Sequence, residues 1–390
     1  MQRTIRLVLR PLPEQLPVLA ETLAQFTQSF NAVCRYGWEH SEKNGVTLHH
    51  ATYYDQKAAL PTLVSDLHVQ ARVKATEAVK SALTVRKQGR KVSCPQATVC
   101  PARYNVHTYK LDWEARTVRL STTQGRQTLR FDLPAYAAKY AECPTATADL
   151  LCRKGRWRLH VVVTVPAPEI APTDAVMGVD LGVVRPAVTS TAQFLGERRW
   201  RELEARTFRL RRKLQAKGTR SAKRHLKRLS GKTMRRRRDH DHVLSKRIVQ
   251  AVPVGGTVVL ENLTNIRQRI RVKKGTQVSR RIHCWSFAQL KGFIEYKAEE
   301  RGLKVVGVDP RHTSQTCHAC GHQARNNRRS QGDFWCRACG YRCNADWNGA
   351  ANIAAKYLAS RGTSLAGGQP VNLATVSHSE PLCADASLRL

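Results

Sequence analysis

The sequence predicts a multidomain protein that combines α+β and α/β architecture, and three observations indicate this. Residues 1–10 and 100–172 alternate apolar and polar residues around short glycine turns, which is typical of antiparallel strands in a small barrel or sheet. Residues 11–99 carry apolar residues at helical spacing, as expected for a helical insert. Beyond residue 172, short apolar strands alternate with helical stretches, and two Cys-x-x-Cys pairs interrupt that pattern.

The N-terminal half is expected to be a β-barrel domain with helices inserted after its first strand. Residues 3–10 alternate as a strand. Apolar positions from residue 14 to 33 and from 65 to 86 predict two amphipathic helices. Four further strands are predicted at residues 117–121, 127–133, 150–152 and 157–165. A proline-rich linker follows, and we place the main domain boundary near residue 172.

The C-terminal half is expected to be a mixed α/β domain. Strands are predicted at residues 176–184, 257–263 and 305–308, and helices at 198–250 and 346–358. Another helix should begin at Ser286, because Gln289 follows three residues later as in a capping box. Gly302 should end that helix.

The charge of the chain favours a polyanionic partner. There are 66 Lys and Arg residues against 29 Asp and Glu, a formal net charge of +37. Self-repulsion of this size opposes compaction unless a polyanion neutralises it, and nucleic acid is the obvious candidate. No apolar run approaches the roughly 18 residues of a spanning helix, and the first residues lack the apolar core of a signal peptide. We therefore expect a cytoplasmic protein without a membrane partner, associated with the nucleoid when it binds DNA.

Two basic segments are candidates for phosphate binding. Residues 198–250 contain 21 Lys and Arg against 4 Asp and Glu, a local net charge of +17, with leucines at helical intervals. This pattern predicts a basic helical hairpin that binds nucleic acid, and a solvated helical face is the alternative. A second patch covers residues 80–91. The predicted contacts are Arg86, Lys87, Arg90, Lys91, Arg211, Arg212, Lys213, Lys223, Arg224, Lys227, Arg235, Arg236, Arg237 and Arg238.

Four cysteines have the spacing of a zinc ribbon. Cys317 and Cys320 form one Cys-x-x-Cys pair, Cys336 and Cys339 form another, and 15 residues separate the pairs. Four thiolates fill a tetrahedron around Zn²⁺ and leave no open position, so the zinc would be structural. Two unrelated redox pairs are the alternative. Cys343 follows closely, but we do not assign it as a ligand, and the other cysteines are expected to stay reduced.

Three acidic residues are candidates for a catalytic metal site. Asp180 and Glu261 lie on apolar strands, and Asp346 opens a predicted helix. A carboxylate in such surroundings is costly unless it is paired or binds a cation. If the three converged, their oxygens would suit Mg²⁺, and two ions could hydrolyse a phosphodiester. Gly178 and Gly182 would then let a phosphate backbone approach the strand. The alternative is that each acid caps a turn or strand end, because spacing alone does not show convergence.

A longer pattern resembles a known family. Residues 305–353 read Val-Val-Gly-Val-Asp-Pro-Arg-His-Thr-Ser-Gln-Thr-Cys, then the two cysteine pairs, then Asp-x-Asn-x-Ala-x-Asn-Ile. Together with Gly-Val-Asp-Leu-Gly at 178–182 and Glu-Asn-Leu at 261–263, this closely resembles TnpB, the OrfB protein of insertion sequences. The resemblance covers residues 176–358 and places the family's catalytic carboxylates at Asp180, Glu261 and Asp346. One departure is Asn344, where the family often has an acidic residue.

The resemblance implies a specific domain order. Residues 1–10 and 100–172 would form the wedge-like barrel, and residues 11–99 its helical recognition insert. A RuvC-like, RNase H-type nuclease domain would comprise residues 173–316 and 341–360, with 198–250 as a basic insert. The zinc ribbon would be 317–340, followed by a disordered tail at 361–390.

The resemblance also implies a function. The chain would be an RNA-guided DNA endonuclease associated with a transposable element. It would cut target DNA next to a short flanking motif by two-metal-ion hydrolysis, with structural Zn²⁺ and two catalytic Mg²⁺. Its partners would be a guide RNA and double-stranded target DNA, and we expect a monomer, with a dimer as the alternative. The other functions to consider are a miniature type V CRISPR effector and a guided DNA-binding repressor without cleavage.

Overall fold

The computed structural model describes residues 1–196, 198–264, 266 and 276–364. The chain divides into two compact units, Met1–Pro166 and Ala167–Leu390. From residue 365 onward, the predicted disordered tail lies outside the described residues. In the described part of the chain, no helix combines the length and apolarity needed to cross a membrane.

The first unit is built on a seven-stranded antiparallel sheet. Its strands are β1 (Gln2–Arg10), β2 (Ala102–Tyr104), β3 (Tyr109–Asp112), β4 (Thr117–Thr122), β5 (Gly125–Asp132), β6 (Thr145–Arg153) and β7 (Arg156–Thr164). The strand order is β2-β6-β7-β1-β5-β4-β3. The hydroxyl of Tyr109 on β3 donates to the carbonyl of Ala146 on β6 (3.4 Å), so the two ends of the sheet approach each other. The sheet is therefore nearly closed.

Three helices follow β1 and pack against the same core. They are α1 (Gln15–Glu39), α2 (Gly45–Ala59) and α3 (Ser65–Lys87). Ile5 and Leu7 of β1 are fully buried in one cluster with Leu19 and Phe26 of α1. The alternation of residues 3–10 and the helical spacing after residue 14 thus place their apolar side chains in a shared core, as predicted.

The second unit contains a five-stranded sheet. Its strands are β8 (Val176–Asp180), β9 (Ala187–Thr189), β10 (Phe194–Leu195), β11 (Thr257–Glu261) and β12 (Lys304–Val308), in the order β10-β9-β8-β11-β12. Strands β8, β11 and β12 are parallel, whereas β9 and β10 are antiparallel to their neighbours. The predicted strand 176–184 therefore ends at Asp180, earlier than expected.

The described helices of the second unit are α4 (Arg198–Lys217), α5 (Arg220–Gln250), α6 (Gln277–Cys284), α7 (Phe287–Glu300) and α8 (Ala345–Ser364). Three of them, α5, α7 and α8, cover the two faces of the sheet. On one face, Ile248 of α5 and Ile294 of α7 pack in a cluster with Leu260. On the other face, Ile353 of α8 packs with Val259, the residue that precedes Leu260 on β11. The β11 strand is apolar on both faces because helices bury both.

The two ends of α7 test the capping predictions. The predicted capping box is wrong, because Ser286 makes no side-chain cap. Its hydroxyl instead donates to Asp241 Oδ2 (2.8 Å), a bond to a carboxylate, which is stronger than one to a neutral acceptor. The predicted end is confirmed. Gly302 has a φ of +67°, and the Leu303 N–H donates to the Ala298 carbonyl (2.8 Å).

Candidate active site

Two of the predicted acids lie side by side at one edge of the second sheet. Asp180 is the last residue of β8, and Glu261 is the last residue of β11. The two strands are parallel neighbours, with Leu260 opposite Val179. Because the carboxyl ends of parallel strands meet at the same edge, both carboxylates emerge there.

The third acid reaches this edge through a close contact between α8 and β8. Asp346 lies in the first turn of α8 and is 5% exposed. A Cβ atom added to Gly178 would collide with the backbone of Ala350 and Ala354, so α8 lies directly on that glycine. The expectation that Gly178 admits a phosphate backbone is therefore wrong, because the helix occupies that space. The same approach brings Gly349, near Asp346, against the carboxylate of Asp180.

The electrostatics of the three acids show that they are neighbours. Burial, together with the negative charges of Glu261 and Asp346, raises the pKa of Asp180 to about 7. Burial also raises the pKa values of Glu261 and Asp346. The three carboxylates do not, however, bring one oxygen each within 4.8 Å of the others. Among the described residues, the four cysteines form the one group of potential ligands that is this tight.

Neighbouring side chains already hold two of these carboxylates. Arg328 Nη2 and Gln331 Nε2 donate to Asp346 Oδ1 at 3.0 and 3.1 Å. Thr313 Oγ1 donates to Glu261 Oε1 at 2.6 Å. Arg328 also lowers the pKa of all three acids, although burial outweighs it. The site is therefore an all-oxygen donor set with positive side chains near it: Arg328 is bonded to Asp346, and Arg185 and Lys356 lower the pKa values of Asp346 and Glu261. Such a set suits a hard divalent cation and a phosphate.

Two buried asparagines of α8 connect this site to the cysteine pairs. Asn352 Nδ2 donates to the carbonyls of Thr313 and Thr316 at 2.8 and 2.7 Å. Asn348, one turn earlier, donates to Thr316 O (2.8 Å) and accepts from the His318 N–H (3.0 Å). The Asp-x-Asn-x-x-x-Asn spacing thus fixes the loop that carries Thr313 and the start of the first cysteine pair.

Sequence analysis assigned no role to Arg328, Gln331, Thr313 or the two asparagines, although Thr313 and the asparagines lie in the motif quoted for the family resemblance. Arg328, Gln331 and Thr313 lie in loops without periodicity, and in such loops no sequence pattern shows which side chain points at a carboxylate. A usable signal was present for Asn348 and Asn352, because polar residues four apart on an otherwise apolar helix share one face.

The four predicted zinc ligands converge. The sulfur atoms of Cys317 and Cys339 are 3.8 Å apart, and those of Cys320 and Cys336 are 3.6 Å apart. All four lie within 4.8 Å of one another. A tetrahedron with Zn–S bonds of about 2.3 Å separates its sulfurs by about 3.8 Å, so the donor set fits Zn²⁺.

The surroundings of the cluster also fit a metal centre. Gly321 and Gly340 follow the two pairs with φ of +75° and +74°, which closes each knuckle. Backbone N–H groups, first that of Cys339, lower the pKa of the Cys336 thiol to about 6. Cys343 lies outside the cluster, and burial raises the pKa of its thiol to about 12.

The predicted nucleic-acid contacts are mostly exposed. Those on α4, on α5 and near the end of α3 are solvent-exposed, with one exception. Arg237 is half-buried and forms an ion pair with Glu204, which joins α5 to α4. The other side chains are exposed, although the guanidiniums of Arg86 and Arg238 lie over the rings of Trp38 and Phe293.

Comparison with known proteins places the site in a family context. Residues 160–267 match the family model OrfB_IS605, described as "Probable transposase", and residues 287–353 match the Cas12f1-like TNB domain. The resemblance to the TnpB family is confirmed. The TnpB-like match contains Asp180 and Glu261, and the TNB match contains the four cysteines and Asp346.

Individual relatives agree with these matches. The chain is 36% identical over 221 residues to the CRISPR-associated endodeoxyribonuclease Cas12f1 of Sulfoacidibacillus thermotolerans, covering 52% of this chain and 50% of that protein. It is 38% identical over 97 residues to a TnpB-like protein of Methanocaldococcus jannaschii, covering 25% of this chain and 34% of that one. The chain thus spans half or less of the length of these relatives.

A solved structure shares the fold. The structure is similar to a chain of the cryo-EM Cas12f1–sgRNA–target DNA complex, with a TM-score of 0.61. The similarity covers 91% of this chain and 98% of that one, at 15% sequence identity. At this identity the likeness concerns the fold alone.

Proposed function

We propose that this chain is an RNA-guided DNA endonuclease associated with a transposable element. One observation carries the proposal: Asp180, Glu261 and Asp346 lie together at one sheet edge, and burial raises the pKa of each, as expected of acids placed to bind a cation. Relatives named as endodeoxyribonuclease and as TnpB-like support the same chemistry. The second unit would be a RuvC-like nuclease domain of the RNase H type.

The residues of the site would have different roles. Asp180, Glu261 and Asp346 would hold two Mg²⁺ ions, which would activate a water molecule and stabilise the leaving oxygen of a phosphodiester. Thr313 would keep Glu261 in one rotamer. Arg328 would release or share Asp346 and present its guanidinium to the phosphate, because this planar group matches phosphate oxygens. The four cysteines would hold a structural Zn²⁺, which makes residues 317–340 a zinc ribbon.

The partners would be a guide RNA and double-stranded DNA. Base pairing would read the target sequence, and the basic α4–α5 hairpin would bind backbone phosphates. The exposed arginines and lysines of that hairpin support this role. The presence of all three carboxylates weighs against a guided repressor, which would not need them.

The test is to separate cleavage from binding. Asp180→Ala should lower guided, Mg²⁺-dependent cleavage of a plasmid by at least about 10³-fold, because one of three cation ligands is lost. Guided binding of the same DNA, measured by gel shift, should persist. Asp239→Ala removes an exposed carboxylate of α5 and serves as the matched control, with unchanged cleavage. Full cleavage by Asp180→Ala would refute the proposed site.

A further inference from the structure

A cavity in the second unit is lined by neither the three carboxylates nor the four clustered cysteines. Its volume is about 150 Å³. One face of α4 lines it with Trp200, Glu204 and Phe208, each four residues apart, and α5 faces them across the cavity. Helix α6 and the turn that follows Asp180 complete the wall. The cavity is therefore built from the basic hairpin and its neighbours.

The wall presents flat aromatic and guanidinium groups. The rings of Trp200 and His240 stack at 4.4 Å with an interplanar angle of 14°. The guanidinium of Arg280 lies 3.5 Å from the centre of the Phe208 ring. Such surfaces bind nucleobases by stacking, with little dependence on sequence.

The cavity wall carries four guanidiniums against two carboxylates, those of Glu204 and Asp241. Arg237 is paired with Glu204, and Arg280 covers Phe208. Arg211 and Arg281 also line the cavity, and neither has an ion pair or hydrogen bond in the described part of the chain. Two unpaired guanidiniums beside a ring-sized cavity suit a phosphate attached to that ring.

We propose that this cavity binds one pyrimidine nucleotide, with the base inside and the phosphate on Arg211 and Arg281. A cavity of about 150 Å³ is known to admit a single benzene-sized ring, and a fused purine needs more space. The nucleotide is either free or carried in a single strand bound along the α4–α5 hairpin. Nucleotide binding in this cavity would require neither DNA cleavage nor the three carboxylates. If no nucleotide binds, the proposed nuclease function is therefore unaffected.

Cys284 provides a native reporter, because it is exposed and lines the cavity. Alkylation of the full-length protein with N-ethylmaleimide is followed at each cysteine by peptide mass spectrometry. UMP should slow alkylation of Cys284 by about 10-fold at saturation, whereas Cys143 and Cys152 of the first unit should not respond. AMP, uridine and inorganic phosphate should each protect Cys284 much less than UMP.

Two further arms identify the source of the nucleotide. Octauridylate should protect Cys284 at lower concentration than UMP if the site takes a base from a strand, and at higher concentration if it takes free nucleotides. An abasic oligomer of equal length supplies phosphates without bases. Equal protection by the abasic oligomer, by phosphate or by AMP would overturn the proposal, as would no protection by either pyrimidine ligand.

Variants make the test specific. Arg281→Gln and Arg211→Gln should each raise the UMP concentration for half-protection by about 10-fold, since each removes a charge-assisted contact. Arg209→Gln removes a charge from α4 outside the cavity and should leave that concentration unchanged. Equal behaviour of Arg281→Gln and Arg209→Gln would contradict the assigned phosphate position.

Discussion

The hydroxyl of Thr313 is a positioning group for Glu261. It is 3% exposed and donates to Glu261 Oε1 at 2.6 Å. Thr313→Val keeps the shape but removes the donor, so the carboxylate loses its fixed orientation. We expect single-turnover cleavage to fall by roughly 10- to 100-fold, as is usual for residues that orient metal ligands, while guide RNA binding is unchanged. Thr313→Ser restores a hydroxyl and should recover most of the rate; failure to do so would argue for a packing role.

At this scale, the sequence predicted the residues that carry charge but not those that orient them. Asp180, Glu261 and the cysteines could be found because a carboxylate on an apolar strand, or a repeated Cys-x-x-Cys, departs from its surroundings. Arg328 and Thr313 lie among other polar residues, so neither of them stands out in the sequence. Each becomes informative only when the chain has folded and its loop lies against a carboxylate.

Among the elements, the contact between α8 and β8 depends on a single glycine. A side chain at Gly178 would collide with the Ala350 carbonyl and the Ala354 amide of α8. Gly178→Ala should therefore lower the free energy of unfolding of the second unit by about 3 kcal/mol, measured by urea denaturation, because backbone cannot move aside cheaply. Gly292→Ala is the matched control: Gly292 lies within α7 with open space around it. That variant should gain about 1 kcal/mol from helix propensity. A similar small gain for both variants would contradict the close approach of α8.

The cysteine cluster offers a second test at the same scale. Cys336→Ser should release zinc, measured by plasma mass spectrometry, and should destabilise the β13–β14 hairpin (Asp333–Trp335 and Arg342–Asn344) that the metal would brace. Cys343→Ser changes a thiol that lies outside the cluster but within that hairpin, and this variant should retain its zinc. Unchanged zinc content in Cys336→Ser would remove the ribbon assignment.

The elements also show where patterns fail. Helix α2 was not delimited in advance, because its stretch is rich in β-branched and aromatic residues and only Leu48 and Thr52 of it are buried. Asn44 caps it by accepting from the Val46 N–H, a local signal that weak periodicity obscured. At Ser286 the error was of the opposite kind, since the hydroxyl that the local motif needs as a cap is bonded to the distant Asp241.

The charge of the whole molecule governs how it binds polyanions. The net charge of +37 is concentrated in the α4–α5 hairpin, where Arg235 and Arg236 are exposed. Arg235→Gln combined with Arg236→Gln should reduce the slope of log K against log [salt] for single-stranded RNA by about 1 to 2, because each phosphate contact contributes about 0.7. Fluorescence anisotropy between 50 and 300 mM salt, as rough limits, measures this.

A control distinguishes local contact from overall charge. Arg119→Gln combined with Arg130→Gln removes the same charge from exposed positions on the neighbouring strands β4 and β5. A smaller change in slope is expected there. If both pairs changed the slope equally, net charge alone would explain binding, and the hairpin would have no special part in it.

Asn348 and Asn352 tie the Thr313 loop and the first cysteine pair to one helix, and this has a practical consequence for chelation experiments. EDTA would strip a structural ion and a catalytic ion together, and both losses would abolish turnover. Adding magnesium alone would then fail to rescue the enzyme even if magnesium is its true cofactor. Zinc has to be returned first, so that the knuckles close, before any add-back titration reports on the chemistry at the carboxylates.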